Sequence, residues 1–273
     1  SSLPAITFPN SSNNMKSLLS LLTFGLLAVT AVAADKPDTR LFEMRVYYAK
    51  PGKLDALNAR FRDHTLKLFT KHGMTNLGYF VPVDNKENKL VYFIAFPDRA
   101  SRDASFKAFG ADPDWKAAAK DSEKDGKLIE RIENAFLTAT DYAVLAEAKS
   151  YGKGVFELRT YTTEAGRLEN LNARFRDHTL KLFEKHGITN MTYWNLAADQ
   201  KGAKSPYVAG NTLIYLLHHQ SEEAAKSSFG AFRADPAWIA AKAASEQKAG
   251  GSLTIKDGVK SEFLTPTDYS PVK

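Results

Sequence analysis

The sequence predicts an α+β protein made of two β-α-β-β-α-β units, each with four antiparallel strands and both helices on one face, the ferredoxin-like arrangement. Three observations predict it. The dodecamer Asn-Ala-Arg-Phe-Arg-Asp-His-Thr-Leu-Lys-Leu-Phe occurs twice without a change, from Asn58 to Phe69 and from Asn172 to Phe183. The shift from His64 to His178, 114 residues, is too long for a solenoid repeat and suits a small domain. Around both dodecamers, stretches of period two and of helical period follow one another in the same order.

The first strand is read from Leu41 to Tyr48, where Phe42, Met44 and Val46 alternate with Glu43, Arg45 and Tyr47. The second copy repeats it as Phe156, Leu158 and Thr160 against Glu157, Arg159 and Tyr161. Pro51-Gly52 and Ala165-Gly166 turn the chain into a helix. That helix is expected from Lys53 to Gly73, with Gly187 as the matching stop, and a Lys-His pair before each glycine suits the negative end of the helix dipole. Leu54, Leu57, Phe61, His64 and Leu68 make one stripe at steps of three and four, which predicts that His64, and His178 with it, meets the sheet. Arg60, Arg62, Asp63 and Lys67 are expected to face solvent.

A second strand follows from Leu77 to Val83, matched by Met191 to Ala197, and a nearly all-apolar third strand from Leu90 to Phe96, matched by Leu213 to His219. The second helix breaks at Asp112-Pro113 and Asp235-Pro236, where Asp caps a restarted helix and Pro takes its first position. A last strand carries Phe136-Leu137-Thr138 and Phe263-Leu264-Thr265, each followed by Asp-Tyr. The copies also differ. The loop from Ala198 to Asn211 is longer than its counterpart, so the offset becomes 123 residues between Trp115 and Trp238. His218-His219 replaces Ala95-Phe96, and Arg99 and Arg102 have no basic match.

Residues 15–33 read as a secretory signal peptide: Met15-Lys16, an apolar run from Leu18 to Val32, and Ala31-Val32-Ala33 as the cleavage site. The run is shorter than the ~20 residues of a bilayer span. Residues 1–14 then lie upstream of the expected start, and the mature chain begins near Ala34, in the periplasm or outside the cell. No cysteine is present, which excludes disulfides, thiolate metal sites and a thiol nucleophile. The formal charge of +6 is spread among mixed signs, as on a solvated face rather than a nucleic-acid footprint.

Glu43, Arg45 and Tyr47 on the first strand, the Gly52 turn, Tyr79-Phe80 on the second strand and Asp112-Pro113 with Trp115 resemble the NIPSNAP family. Glu157, Arg159, Tyr161, Gly166, Tyr193-Trp194, Asp235-Pro236 and Trp238 repeat the pattern. The resemblance implies the dimeric α/β-barrel fold, with the two ferredoxin-like sheets face to face. It gives domains at 40–142 and 155–270 joined by the linker 143–154, and brings no established reaction. In such a barrel the Glu-Arg-Tyr face is expected to look inward, toward the other copy.

Candidate ligand-binding residues are therefore His64, His178, Arg45, Arg159, Glu43, Glu157, Tyr47 and Tyr161. Two readings stand for the Glu-Arg rows: a structural network, or a pocket for an anion or carboxylate. Two stand for His64 and His178: core residues, or polar groups in a cavity between helix and sheet, which related barrels use for small aromatic substrates or haem. His72 and His186 read as helix-end residues, and His218 and His219 point to opposite strand faces, which disfavours one shared metal ion. No phosphate loop, HExxH or nucleophile elbow occurs, no catalytic residue is assigned, and no cofactor or metal is evident. The sequence reads as an exported small-molecule-binding or assembly module, with a cofactor-poor oxidative or haem-handling enzyme as the alternative. Its partner is then an unknown small molecule or protein, and its two domains pair with each other. N-terminal sequencing of protein from its native host is expected to begin near Ala34; a soluble product retaining Met15 contradicts the leader.

Overall fold

The structure is a computed structural model that describes Ser2 and residues 38–143, 149–200 and 207–273. The expected leader, residues 144–148 of the linker and residues 201–206 of the long loop lie outside the described residues. Copy one runs β1 (Leu41–Ala49), α1 (Leu54–Arg60), a π-helical turn (Phe61–Thr65), α2 (Leu66–Lys71), β2 (Thr75–Pro82), β3 (Lys89–Phe96), α3 (Arg99–Ala111), α4 (Pro113–Ser122) and β4 (Ile129–Ala139). Copy two repeats it as β5 (Val155–Thr163), α5 (Leu168–Arg174), a π-helical turn (Phe175–Thr179), α6 (Leu180–Lys185), β6 (Thr189–Leu196), β7 (Thr212–His219), α7 (Glu222–Ala234), α8 (Pro236–Ala249) and β8 (Thr254–Pro266).

The eight strands close one antiparallel barrel in the order β1-β3-β2-β8-β5-β7-β6-β4. The last strand of each copy makes the closure. β4 pairs with its own β1 and, through Leu137↔Leu196 to Ala139↔Trp194, with β6 of the other copy. β8 pairs with β5 and, through Phe80↔Pro266 to Pro82↔Leu264, with β2. Both last strands extend beyond the Phe-Leu-Thr triplets, because polar residues such as Asn134 and Ser261 stay in the ladder with Arg45 of β1 and Arg159 of β5. Closure leaves no open sheet edge.

Period two divides each strand between two cores. Phe42, Met44, Val46, Phe93, Phe156 and Trp194 fill the barrel interior together with residues of both copies. Phe93 stacks on Trp194 across the copies at 5.2 Å and 13°, a contact worth about 0.5–1.5 kcal/mol beyond its buried area. The opposite face lies under the helices: Tyr47, Tyr79 and Tyr92 meet Phe61 and Phe69 in copy one, while Tyr161, Tyr193 and Tyr215 meet Phe175 and Phe183 in copy two. Glu43, Arg45 and Tyr47 alternate with the interior residues, so they face this helix layer. The inward orientation expected for them is reversed, because the large apolar residues of both copies claim the closed interior, where a charge is costly to bury.

The π-helical turns overturn a second expectation. The Leu66 N–H donates to the Phe61 carbonyl, five residues back, and Leu180 does the same to Phe175. Thr65 Oγ1 donates to the Arg60 carbonyl at 3.1 Å, and Thr179 Oγ1 to Arg174 at 3.1 Å. Widening the turn by one residue puts Thr65 and Thr179 on the buried face, where a regular stripe would put His64 and His178. Both histidines are exposed instead. Arg60, expected in solvent, is buried: its guanidinium lies over the Trp115 ring at 5.3 Å and pairs with Glu123 at 3.1 Å. Arg174 lies over Trp238 at 5.2 Å in the same way.

The dodecamer also docks the copies. Arg62 makes a two-pronged pair with Asp268 at 2.6 and 2.7 Å, and Arg176 makes the reciprocal pair with Asp141 at 2.7 and 2.8 Å. The Tyr269 hydroxyl donates to Asn58 Oδ1 at 2.7 Å, and the Tyr142 hydroxyl to Asn172 Oδ1 at 2.9 Å. The Asp-Tyr pair that ends each copy is thus the latch for the other copy's first helix. Tyr142→Phe and Tyr269→Phe are each expected to lower stability by about 1 kcal/mol in denaturant titration, since each leaves a shielded asparagine oxygen without its donor. An unchanged midpoint in both variants contradicts the latch.

Candidate functional site

The layer between sheet and helices holds the chemistry of each copy. Glu43 is fully buried beneath α3, and Glu157 is 2% exposed beneath α7. A carboxylate there persists only with paired charges and hydrogen bonds. Arg45 Nη1 donates to Glu43 Oε1 at 2.6 Å, and Arg45 Nη2 to the Tyr47 hydroxyl at 3.3 Å. Arg159 Nη1 donates to Glu157 Oε1 at 2.5 Å, Nη2 to the Tyr161 hydroxyl at 3.1 Å, and Nε to the Tyr215 hydroxyl at 2.9 Å. Burial pushes the Tyr92 and Tyr215 phenols well above their usual range, so both stay neutral beside these arginines. Six of the expected residues, Glu43, Arg45, Tyr47, Glu157, Arg159 and Tyr161, therefore assemble into two matching clusters. His64 and His178 join neither.

The copies complete the carboxylate's shell with different residues. In copy one, Arg102 from α3 donates from Nε to Glu43 Oε2 at 2.9 Å and from Nη2 to Oε1 at 3.0 Å. Its guanidinium also covers the Phe106 and Phe136 rings at 4.4 and 5.1 Å. The matching residue of copy two is Ala225, and His219 supplies the missing donor from β7: its Nε2 lies 2.9 Å from Glu157 Oε2. Ser261 Oγ adds a hydrogen bond to Oε1 at 2.7 Å. Burial opposes ionisation of Glu157, but the His219 hydrogen bond, the Arg159 charge and Ser261 outweigh it and hold the carboxyl below its ordinary value. Against an ionised carboxylate, the facing His219 nitrogen is the donor. Copy one has Phe96 at the His219 position, so histidine and arginine exchange places as the carboxylate's second cationic or N–H partner. Unequal sequence between copies was the available signal for this exchange, at Phe96/His219 and Arg102/Ala225.

Two recesses lie over the helix layer of copy two. A cleft of about 630 Å³ lies between α7, α8 and the β5–β8 edge. Arg159 and Tyr161 form part of its floor, Phe229, Phe232 and Trp238 its walls, and Ile239 and Val259 line it while 55% and 44% exposed. A second recess of about 490 Å³, over Ala225 and Phe263, shares Phe229 and Arg233 with it. This recess corresponds to the space that Arg102 fills in copy one. Sequence reasoning missed Phe229, Phe232, Ile239 and Val259, since helix aromatics read equally well as core.

The remaining histidines are structural or apart from the cleft. His72 Nε2 lies 2.6 Å from Asp112 Oδ2 and His186 Nε2 2.8 Å from Asp235 Oδ2, while the other oxygen of each Asp accepts an N–H at the start of α4 or α8. Lys71 and His72 hold Asp112 well below the usual carboxylate range, and Lys185 and His186 do the same to Asp235. His178 borders a separate recess with Arg174 and Lys248. His218 packs against Phe156 and Tyr151 in the barrel while its neighbour His219 faces the helices. Among the described residues no helix is long and apolar enough to cross a membrane.

The exchange of partners makes a direct prediction. Arg102→Ala is expected to cost about 2 kcal/mol, because Glu43 stays buried with its charge-assisted bonds reduced. Adding Phe96→His, which installs the copy-two arrangement, is expected to recover most of that loss in thermal or denaturant unfolding. A double variant less stable than Arg102→Ala contradicts the equivalence of the two shells.

Comparison with known proteins follows the same division into copies. The NIPSNAP family model matches residues 42–144 and again 156–271. No curated protein matches the chain. A NIPSNAP domain protein from Burkholderia xenovorans is 26% identical over 37% of this chain and 94% of its own, with a TM-score of 0.33. A NIPSNAP family protein from Agrobacterium tumefaciens is 22% identical over 39% of this chain and 98% of its own, with a TM-score of 0.35. An anthrone oxidase-like protein is similar over 87% of this chain and 95% of its own at 12% identity and a TM-score of 0.55, a likeness of fold alone. Matched by the family model over both of its copies, the chain belongs to the NIPSNAP family.

Proposed function

We propose that this NIPSNAP chain is a small-molecule-binding protein whose working site is the cleft of copy two, with copy one as its structural half. The observation that carries this is the cleft itself. A space of about 630 Å³ with aromatic walls, exposed aliphatic side chains and a largely buried arginine on its floor has the size and lining of ligand sites. The same layer in copy one spends its extra cation on Glu43 instead. Glu157, Arg159 and Tyr161 then act as one unit: the carboxylate fixes the guanidinium, and the guanidinium presents its free edge to the cleft. Export from the cell, supported by the order of charge, apolar run and Ala-x-Ala in residues 15–33, makes the ligand a periplasmic or extracellular one. The haem-handling alternative has no comparable support, because the helix histidines it would use, His64 and His178, do not line this cleft.

The neutral apolar dye Nile red tests the site without presupposing a charge. It is expected to bind the full chain with a blue-shifted emission. Ala243→Trp, which fills the cleft from an exposed position on α8, is expected to abolish that signal with little change in melting temperature. Lys120→Trp, at the matching position of copy one, is expected to leave it intact. Binding that survives Ala243→Trp, or is lost only in Lys120→Trp, overturns the assignment to copy two.

A further inference from the structure

Between the two copies the positive charge of the helix layer has moved. Copy one holds Arg102 inside, against Glu43, and where its helices border the equivalent space it has Gly110 and Ala119, with Lys116 and Lys120 beside them. Copy two has lost the inner arginine to Ala225 and carries Arg233 and Lys242 at the positions of Gly110 and Ala119, both lining the cleft. Arg233 is exposed and makes no hydrogen bond or ion pair with any described residue, although Glu222 and Glu223 border the adjoining recess. Lys242 has only a 3.8 Å pair with Glu246, which is itself 3.8 Å from Arg174. On the floor, Arg159 has five N–H groups, of which three go to Glu157, Tyr161 and Tyr215. Two are left, on a side chain that is 12% exposed and lines the cleft.

A floor arginine with unspent donors, two further cations and aromatic walls together define a ligand chemistry. We infer that the copy-two cleft is selective for aromatic carboxylates, small flat anions whose ring packs among Phe229, Phe232 and Trp238 and whose carboxylate takes the free N–H groups of Arg159. This deepens the small-molecule reading above and rests on it. Arg159 supplies the fixed donors, preorganised by Glu157 and two tyrosines, so little ordering is lost when the anion docks. Arg233 and Lys242 raise the potential at the cleft and favour the anionic form over a neutral isostere. Copy one arranges its cations differently: Arg102 is paired with Glu43, and Lys116 and Lys120 stand at the positions of Ile239 and Ala243.

The test compares 2-naphthoate with its neutral isostere 2-naphthamide by calorimetric titration of the full chain at low salt. Naphthoate is expected to bind at least about tenfold more tightly than the amide. The exposed double substitution Arg233→Gln/Lys242→Gln is expected to shrink that preference by about threefold or more, through a larger loss of naphthoate than of amide affinity and with the melting temperature unchanged. Equal affinities, or a preference indifferent to the double substitution, overturn the inference. If neither naphthalene binds while Nile red still does, the carboxylate selectivity fails and the small-molecule reading stands. If Nile red also fails to bind, that reading falls as well.

Discussion

A carboxylate on the middle of a strand, covered by helices and cut off from water, cannot remain charged without a cation and further donors beside it. Glu43 and Glu157 impose that constraint on both copies, and most of what distinguishes the copies follows from how it is met. The strand itself supplies the first partner two residues on, Arg45 or Arg159, because period two returns to the same face. The remaining oxygen can be reached from the helix or from the neighbouring strand. Copy one uses the helix, with Arg102 spanning the layer to Glu43. Copy two uses β7, with His219 directly beside Glu157, and the helix position shrinks to Ala225. The carboxylate is satisfied either way, and in copy two the small Ala225 borders a recess beside Phe229 and Phe263.

The two solutions also differ in where charge lies. Arg102 is neutralised where it lies, and copy one carries Lys116 and Lys120 at the positions of Ile239 and Ala243. Copy two keeps Arg159 on the floor and adds Arg233, which has no ion pair with a described residue, and Lys242, which pairs with Glu246 at 3.8 Å. The two halves of the duplicated fold thus meet the same constraint with different residues. The shared barrel joins them. Each copy's last strand is paired to the other copy, so neither half can lose its sheet order while the other keeps its own.

The repeated dodecamer serves the fold on two sides at once. Its inward residues, Phe61, Thr65 and Arg60 with their counterparts, pack the helix on the sheet and on α4 or α8. Its outward residues Asn58 and Arg62, with Asn172 and Arg176, reach the Asp-Tyr pair of the other copy. A π-helical turn in the middle reconciles these tasks. By adding one residue to the turn, it lets a threonine close against the backbone and turns the histidine outward.

Duplication, element order, capping Asp-Pro pairs and the Glu-Arg-Tyr rows were all legible in the sequence, because each rests on local spacing. An Asp before a Pro caps a helix wherever it lies, and strand alternation groups Glu43, Arg45 and Tyr47 on one face whichever way that face points. The direction of that face was decided by packing. Period two separates two faces without saying which is inside, and the larger aromatic and aliphatic side chains of both copies had to meet in the closed barrel before it was settled. His64 was misplaced for a related reason: three and four residues are both one helical turn, and only the i to i+5 bonding that the packed helix adopts selects Thr65 over it. Arg102 and His219 stood out in the sequence as places where the copies disagree, yet their equivalence as partners of one carboxylate is a contact across elements 59 and 62 residues apart. The sequence by itself determined the repeat, its elements and the residues available for a site; only the tertiary structure decided which of them meet, because that outcome depends on distances between elements that no local pattern encodes.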